Sequence, residues 1–261
     1  MVFNVPFRRA VIAIVGFILF WELGSRVGLP WIGRIPPPSD VFTAWMTVIG
    51  DLSYWYSWMQ SFRRVLAGFF AAVILGVPLG LAMATSRTFN GLAFPTFEVL
   101  RPIPPLAWVP AAIIFWPTQE LAIAFVTFLG AFYTIVINVV GGAKSIDLRY
   151  FQAAQSMGSN GFDIFRRIIL PAVTPSIFIG MAVGMGITWE VVVAAEMISG
   201  GGSAVGGTAG GGLGFFIWNS YLGGSYDLIV VGMVSIGIAG YLCSSTIRWF
   251  GERATPWKRL R

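Results

Sequence analysis

Four stretches of the chain, Val65 to Ala84, Leu121 to Ala143, Pro171 to Trp189 and Leu228 to Ile247, contain no charged side chain. A hydrocarbon core about 30 Å thick takes roughly 20 apolar residues of helix, so each run reads as a membrane span. Helix follows because a backbone without water must close its hydrogen bonds internally. Composition agrees: of 261 residues 56% are hydrophobic and 11% charged, with a mean hydropathy of +0.77, too little charge for a water-facing surface. A shorter run, Ala10 to Trp21, follows Arg8 and Arg9 and leads into Glu22 and Arg26. No small-residue cleavage site follows it, so it reads as a retained first span rather than a signal peptide. Pro102 to Gln119 is also uncharged but holds Pro102, Pro104, Pro105, Pro110 and Pro117, each lacking a backbone donor. Such a segment survives at membrane depth only when shielded by protein or lining a wet cavity. The expectation is an all-α polytopic membrane protein with about six transmembrane helices, the third irregular.

Six spans put both termini on one side. With the termini in the cytoplasm, Arg8, Arg9, Arg87, Lys144, Arg149, Arg166, Arg167 and the tail Arg248, Arg253, Lys258, Arg259 and Arg261 lie inside, leaving chiefly Arg26, Arg34, Arg63 and Arg64 outside. That bias is the one membrane proteins show, and it accounts for the net charge of +6 without nucleic acid. Pro36-Pro37-Pro38 followed by Ser39 or Asp40 reads as a turn and a helix cap. The aromatics of Val41 to Met59 suit an interfacial helix on the outer face or a packed connecting loop. Ser199 to Gly214 reads as a glycine-rich linker; it has no lysine, which a phosphate-cradling loop needs. Cys243 is the single cysteine and histidine is absent, so a metalloenzyme is not indicated. No nucleophile with a base and no carboxylate dyad supports a membrane enzyme.

The loop between the fourth and fifth spans carries the most information. Asp147 to Met157 reads as a short helix, Gly158-Ser159-Asn160-Gly161 breaks it, and Phe162 to Leu170 reads as a second helix leading to Pro171. Ala153 and Ala154 keep one face thin for close approach by another protein, and Gly158 allows a positive φ at the corner.

Here the sequence resembles the permeases of binding-protein-dependent ABC importers, whose cytoplasmic motif runs Glu-Ala-Ala, three residues, Gly, nine residues, Ile, one residue, Leu-Pro. Gln152, Ala153, Ala154, Gly158, Ile168, Leu170 and Pro171 stand at that spacing, with Gln152 in place of the leading glutamate and so without its charge. Ser61-Phe62-Arg63-Arg64, Gly76-Val77-Pro78, Arg101-Pro102-Ile103-Pro104-Pro105 and Ala194-Ala195-Glu196 are similar to the branch importing nitrate, bicarbonate, cyanate, taurine and alkanesulfonates. The resemblance implies a type I ABC importer permease fold in an inner (plasma) membrane. It implies a second copy of the permease, two cytoplasmic ABC ATPase subunits holding ATP and Mg, and an external solute-binding protein; this chain itself would bind no cofactor and hydrolyse nothing. The organisation expected is residues 1–60 as first span and interfacial segment, 61–250 as a core with a coupling loop at 142–170, and 251–261 as a basic tail.

Ionisable and polar groups inside spans are candidates for the passage: Arg101, Glu190 and Glu196, with Thr134 and Asn138 four apart on one helical face. Bare carboxylates would repel an anion. Either they pair with an arginine such as Arg101, or the solute is not an anion, or they face elsewhere. Gly180 and Gly184 have the spacing of helix packing or of a dimer interface. An ion-coupled secondary carrier or a channel is the competing class; the broken third span suits it in part, but no internal repeat is found.

Overall fold

The computed structural model describes residues 5–198 and 211–257, and every regular element among them is helical. In chain order α1 covers Val5–Val27, α2 Pro38–Val48, α3 Leu52–Thr85, α4 Arg87–Leu100, α5 Val109–Phe115, α6 Gln119–Lys144, α7 Leu148–Ser156, α8 Gly161–Ile164, α9 Leu170–Ile198, α10 Leu213–Leu222 and α11 Tyr226–Ala254. A 3-10 turn occupies Pro105–Trp108 and a π turn Phe165–Ile169. Five helical stretches are long and apolar enough to cross a membrane, and a sixth crossing exists if α4 and Pro105–Phe115, bent by 85°, count as one.

That bent pair corrects the expected third span. The segment starting at Pro102 is not a span: its regular part amounts to a 3-10 turn and the seven residues of α5. Proline removes donors and pushes the preceding residue out of helical geometry, so the run of prolines makes the bend. The rising half of the crossing is α4, whose Arg87 and Glu98 kept it out of the charge-free runs. The aromatic stretch Val41 to Met59 also divides. Asp51 accepts the amide of Ser53 at 2.9 Å and caps α3, so Leu52 onward belongs to a 34-residue helix of roughly 50 Å, and a boundary at residue 60 falls inside it. The remaining part, α2, buries Val41 and Ala44 in a cluster with Tyr54 and Val231. At the other end α11 packs Gly251 against Phe178 and continues to Ala254, so a tail beginning at 251 starts too early. Lys258, Arg259 and Arg261 lie outside the described residues, as does 199–210 of the glycine-rich linker; Gly211 to Gly214 are buried.

The core is a three-helix sandwich. Gly68 of α3 meets Thr127 of α6 and Gly80 meets Val139, so these two helices run parallel. Gly142 of α6 meets Ser176 of α9 and Gly184 meets Ala131, so α9 runs antiparallel to α6. Between them Val65, Ala72, Ile135, Val139, Val173 and Val192 are completely buried. Lipid tails are as apolar as leucine, so close backbone approach and dispersion hold these helices rather than a solvent-driven force. A Cβ on Gly68 would sit 2.1 Å from Thr127 Oγ1 and 2.8 Å from the Phe128 amide nitrogen. Gly68→Val is therefore expected to cost about 1–3 kcal/mol by overpacking, read as a lower unfolding midpoint of the chain in detergent micelles.

Candidate functional site

On the side of the bundle where α6 ends, α7 forms a knuckle. Asp147 caps it by accepting the Arg149 amide at 2.9 Å. It ends in two backbone bonds, Gly158 N to Gln155 O at 3.0 Å and Ser159 N to Ala154 O at 3.0 Å, the reversal that glycine in a left-handed conformation completes; Gly158 has φ +80°. Asn160 then accepts the Asp163 amide at 2.9 Å and starts α8. Ala154 is buried, while Gln152, Ala153 and Gly158 are exposed. Leu148, Tyr150, Met157 and Phe162 stand out from the knuckle, Met157 at 79% exposure and Phe162 at 70%. An exposed apolar knob on an otherwise polar loop is the form of a protein contact.

The second half of the loop is joined to the membrane helix without interruption. Helical structure runs from Gly161 to Ile198, and the π turn lies immediately before Pro171. Leu170 N donates to Phe165 O, five residues back. Pro171 has no N–H to offer Arg167, and its ring would press on that carbonyl in a regular helix; the wider turn gives it room. The second half of the loop, from Gly161 through Ile168, Leu170 and Pro171, thus forms one rod with α9, and α7 is joined to it at the corner made by Gly158. Pro171 therefore lies within continuous helix.

A second feature lies at mid-depth. Arg101, Pro105, Tyr133, Thr134 and Ile187 line an open depression of about 280 Å³, where α4 ends and bends. Arg101 is half exposed and pairs with Glu98 at 3.1 Å. Thr134 shares this depression. Asn138 does not line it: its amide donates to Thr134 O at 2.8 Å, and its Cβ is 2.8 Å from where a Cβ on Gly180 would lie. Glu190 is exposed, three residues beyond Ile187 on α9. Gly180 and Gly184 are spent on packing α9 against α6 within the chain.

Glu196 is elsewhere, and its arginine is not Arg101. It is completely buried, with Arg64 Nη1 2.9 Å from its Oε1. Arg64, only 3% exposed, also donates through Nε to Glu120 at 3.0 Å and pairs with it through Nη2. Ser61 Oγ donates to the Glu196 carboxylate at 2.9 Å and accepts the Leu213 amide at 2.8 Å. The Gly214 amide donates to Glu196 at 2.9 Å. Four helices, α3, α6, α9 and α10, meet here. Gly212 has φ +64°, and a Cβ on it would sit 2.2 Å from Glu196, so the buried end of the glycine stretch is shaped to this carboxylate. Arg64 is therefore interior rather than one of the loop charges. Ser61, Glu120 and Gly212 had no role in the sequence reading, although Ser61 and Arg64 stand in one of the quoted stretches.

The sequence pattern defining the binding-protein-dependent transport system inner membrane component family matches residues 76–259, from within α3 through the knuckle to the tail. This chain belongs to that family. Among curated permeases, it is 32% identical to the taurine transport system permease protein TauC of Escherichia coli over 85% of this chain and 80% of that one. It is 32% identical to the nitrate import permease protein NrtB of Leptolyngbya laminosa over 79% and 71%. With the bicarbonate transport system permease protein CmpB of Synechococcus elongatus the identity is 31% over 90% and 85%. The permease fold is that of solved ABC importers. An inward-facing MetNI methionine transporter chain superimposes with a TM-score of 0.61 at 19% identity, over 82% of this chain and 98% of that one. A chain of a bacterial alginate ABC transporter, solved with an alginate-bound periplasmic protein, gives 0.62 at 13% identity over 95% and 94%. The permease is thus a multi-pass membrane protein of the type I importer fold, with relatives that import small anions and taurine.

Proposed function

We propose that this permease is the membrane half of an ATP-driven importer that moves a small anion, such as nitrate, bicarbonate, taurine or an alkanesulfonate, by alternating access. Two copies would enclose the passage. Two cytoplasmic ATPase subunits would hold ATP and Mg and grip the knuckles, and an external solute-binding protein would deliver the solute. The observation that carries the reading is the rod that runs from the second half of the loop into α9, with α7 set at its end by the corner at Gly158. A partner gripping Phe162 would hold the end of the lever Gly161 to Ile198 directly, while Leu148, Tyr150 and Met157 would be held on the other side of the corner at Gly158; α9 forms one wall of the core and borders the depression through Ile187. Transmission of this kind needs a stiff connection, which unbroken helix supplies.

Orientation follows from charge. The knuckle side bears Arg8, Arg9, Arg87, Lys144, Arg149, Arg166, Arg167, Arg248 and Arg253, against Arg26, Arg34 and Arg63 on the α2 side, which supports cytoplasmic termini. Arg101 lines the depression; although it pairs with Glu98, its side chain is half exposed there, which supports a site where an anionic solute could meet it.

The test is reconstitution. Vesicles containing the permease, its ATPase and its binding protein are expected to accumulate anion only with ATP, and the permease alone is expected to pass none. Solute movement by the permease unaided would favour a secondary carrier or channel and end the reading. Arg101→Gln is expected to lower anion uptake at least about ten-fold, equivalent to roughly 1.4 kcal/mol, with ATPase association unchanged. Uptake at the full rate would remove Arg101 from the passage.

A further inference from the structure

The helix α9 carries two carboxylates, Glu190 and Glu196, and the fold sends them to opposite flanks. Gly184, at the middle of α9, packs on Ala131, at the middle of α6. Glu190 lies six residues further on, about 9 Å along the axis. Half of a hydrocarbon core is about 15 Å, so Glu190 stands at hydrocarbon depth in the bundle. A helix turns about 100° per residue. Glu196, twelve positions past Gly184, is therefore about 120° round the helix toward α3, where Arg64 holds it. Glu190 is about 120° round the other way, and Ile187 about 60° round on that same flank. Ile187 lines the depression with Arg101, so Glu190 stands on the depression's flank of α9, one turn toward the α2 side. Glu98 is held by Arg101 and Glu196 by Arg64. Glu190 is exposed and has no ion-pair partner among the described residues.

We propose that Glu190 is a second solute contact and that the solute is a zwitterion: an anion carrying an ammonium group on a short carbon chain, with its anionic end at Arg101 and its ammonium at Glu190. A carboxylate at this depth is costly unless it faces a partner or a wet passage, and the chain itself supplies no partner cation. The charges around the depression are one cation, Arg101, against two carboxylates, Glu98 and Glu190. A plain inorganic anion would share Arg101 with Glu98 and meet the repulsion of Glu190 as well. A zwitterion satisfies both ends, and its carbon chain fits the apolar wall that Pro105, Leu129 and Ile187 form between them. Discrimination of this kind uses a group that repels the wrong solute beside one that attracts the right one. The inference rests on the transport reading above and narrows it, selecting taurine-like solutes over nitrate, bicarbonate and simple alkanesulfonates.

Saturation-transfer NMR on the full-length permease in detergent tests it without a binding protein, whose own preference would mask the passage. The probes are taurine and isethionate, which has a hydroxyl in place of the ammonium. Taurine is expected to bind about three- to five-fold more tightly, the contribution of one partly exposed ion pair. Glu190→Gln is expected to remove the difference by weakening taurine alone, Glu190→Asp to keep part of it, and Arg101→Gln to weaken both probes. Equal affinity for the two probes in the wild type, or no saturation of either, would overturn the proposal and leave Glu190 to a cation of the second copy. Equal weakening of both probes by Glu190→Gln would overturn it too, because the residue would then be shaping the site rather than meeting an ammonium. ATP-dependent uptake in vesicles decides the transport reading separately: an importer that runs on ATP yet shows no preference for taurine loses only this inference.

Discussion

Replacing Arg64 by methionine is expected to destabilise the permease by about 3–5 kcal/mol, the cost of breaking a buried ion pair by removing one partner. The change removes the countercharge of Glu196, a carboxylate with no exposure, and leaves it, among the described residues, the Ser61 hydroxyl and the Gly214 amide as donors. It also removes the link to Glu120, and through these groups α3, α6, α9 and α10 lose their common tie. Glu196→Gln alone is expected to cost less, because Arg64 keeps Glu120, which is half exposed and shares its charge with solvent. The double variant Arg64→Met with Glu196→Gln is expected to recover part of the loss, since no uncompensated charge remains inside. Denaturant unfolding of the four proteins in micelles gives the coupling energy directly. If Arg64→Met unfolds within about 0.5 kcal/mol of wild type, the range of an ordinary surface change, the network does not hold these helices together.

This network also marks how far the sequence could be read. The four uncharged runs gave the spans because membrane burial is a one-dimensional signal: a stretch either lacks charge over a bilayer's thickness or does not. The knuckle was legible for a similar reason, its cap, corner and restart being set by Asp147, Gly158 and Asn160 within a few residues of one another. The partner of Glu196 was not, although both Arg64 and Glu196 had been singled out. They are 132 positions apart, and only the parallel packing of α3 on α6 with α9 antiparallel brings Arg64, Glu120 and Glu196 to one level. Arg63 and Arg64 looked equivalent as loop charges. Neighbouring helical residues point about 100° apart, so a pair at the head of an apolar run can send one inward and one to the surface. Absence of charge does not mark the bent α4 crossing, because Arg87 and Glu98 lie within α4 itself. Arg101 and Glu98 pair across one turn, which lowers the cost of both at depth. Charge inside a crossing is legible only when its partner is known.

Gly158 carries the second large effect, on transport rather than on folding. Its φ of +80° costs a residue with a Cβ about 1–2 kcal/mol, and more when the side chain is β-branched. Nothing in the chain lies within 4 Å of the position a Cβ would take, so a side chain there clashes with no part of the permease and the penalty comes from backbone geometry alone. Gly158→Val is therefore expected to leave the unfolding midpoint of the membrane bundle unchanged. The corner itself would shift toward geometries that misalign Met157 and Phe162, by about 5–30-fold in population for one or two kcal/mol. Uptake in the reconstituted system is expected to fall about ten-fold or more, and capture of the ATPase on immobilised permease to weaken with it. Gly158→Asn separates geometry from bulk, because asparagine tolerates the left-handed region; it is expected to retain most of the activity although it is similar in size to valine. Normal uptake by the valine variant would show that the corner transmits nothing. Loss in both variants would instead mean that a partner surface packs against Gly158 in the assembly and needs the space, leaving the knuckle as the coupling element with close approach, rather than backbone geometry, as the reason for glycine.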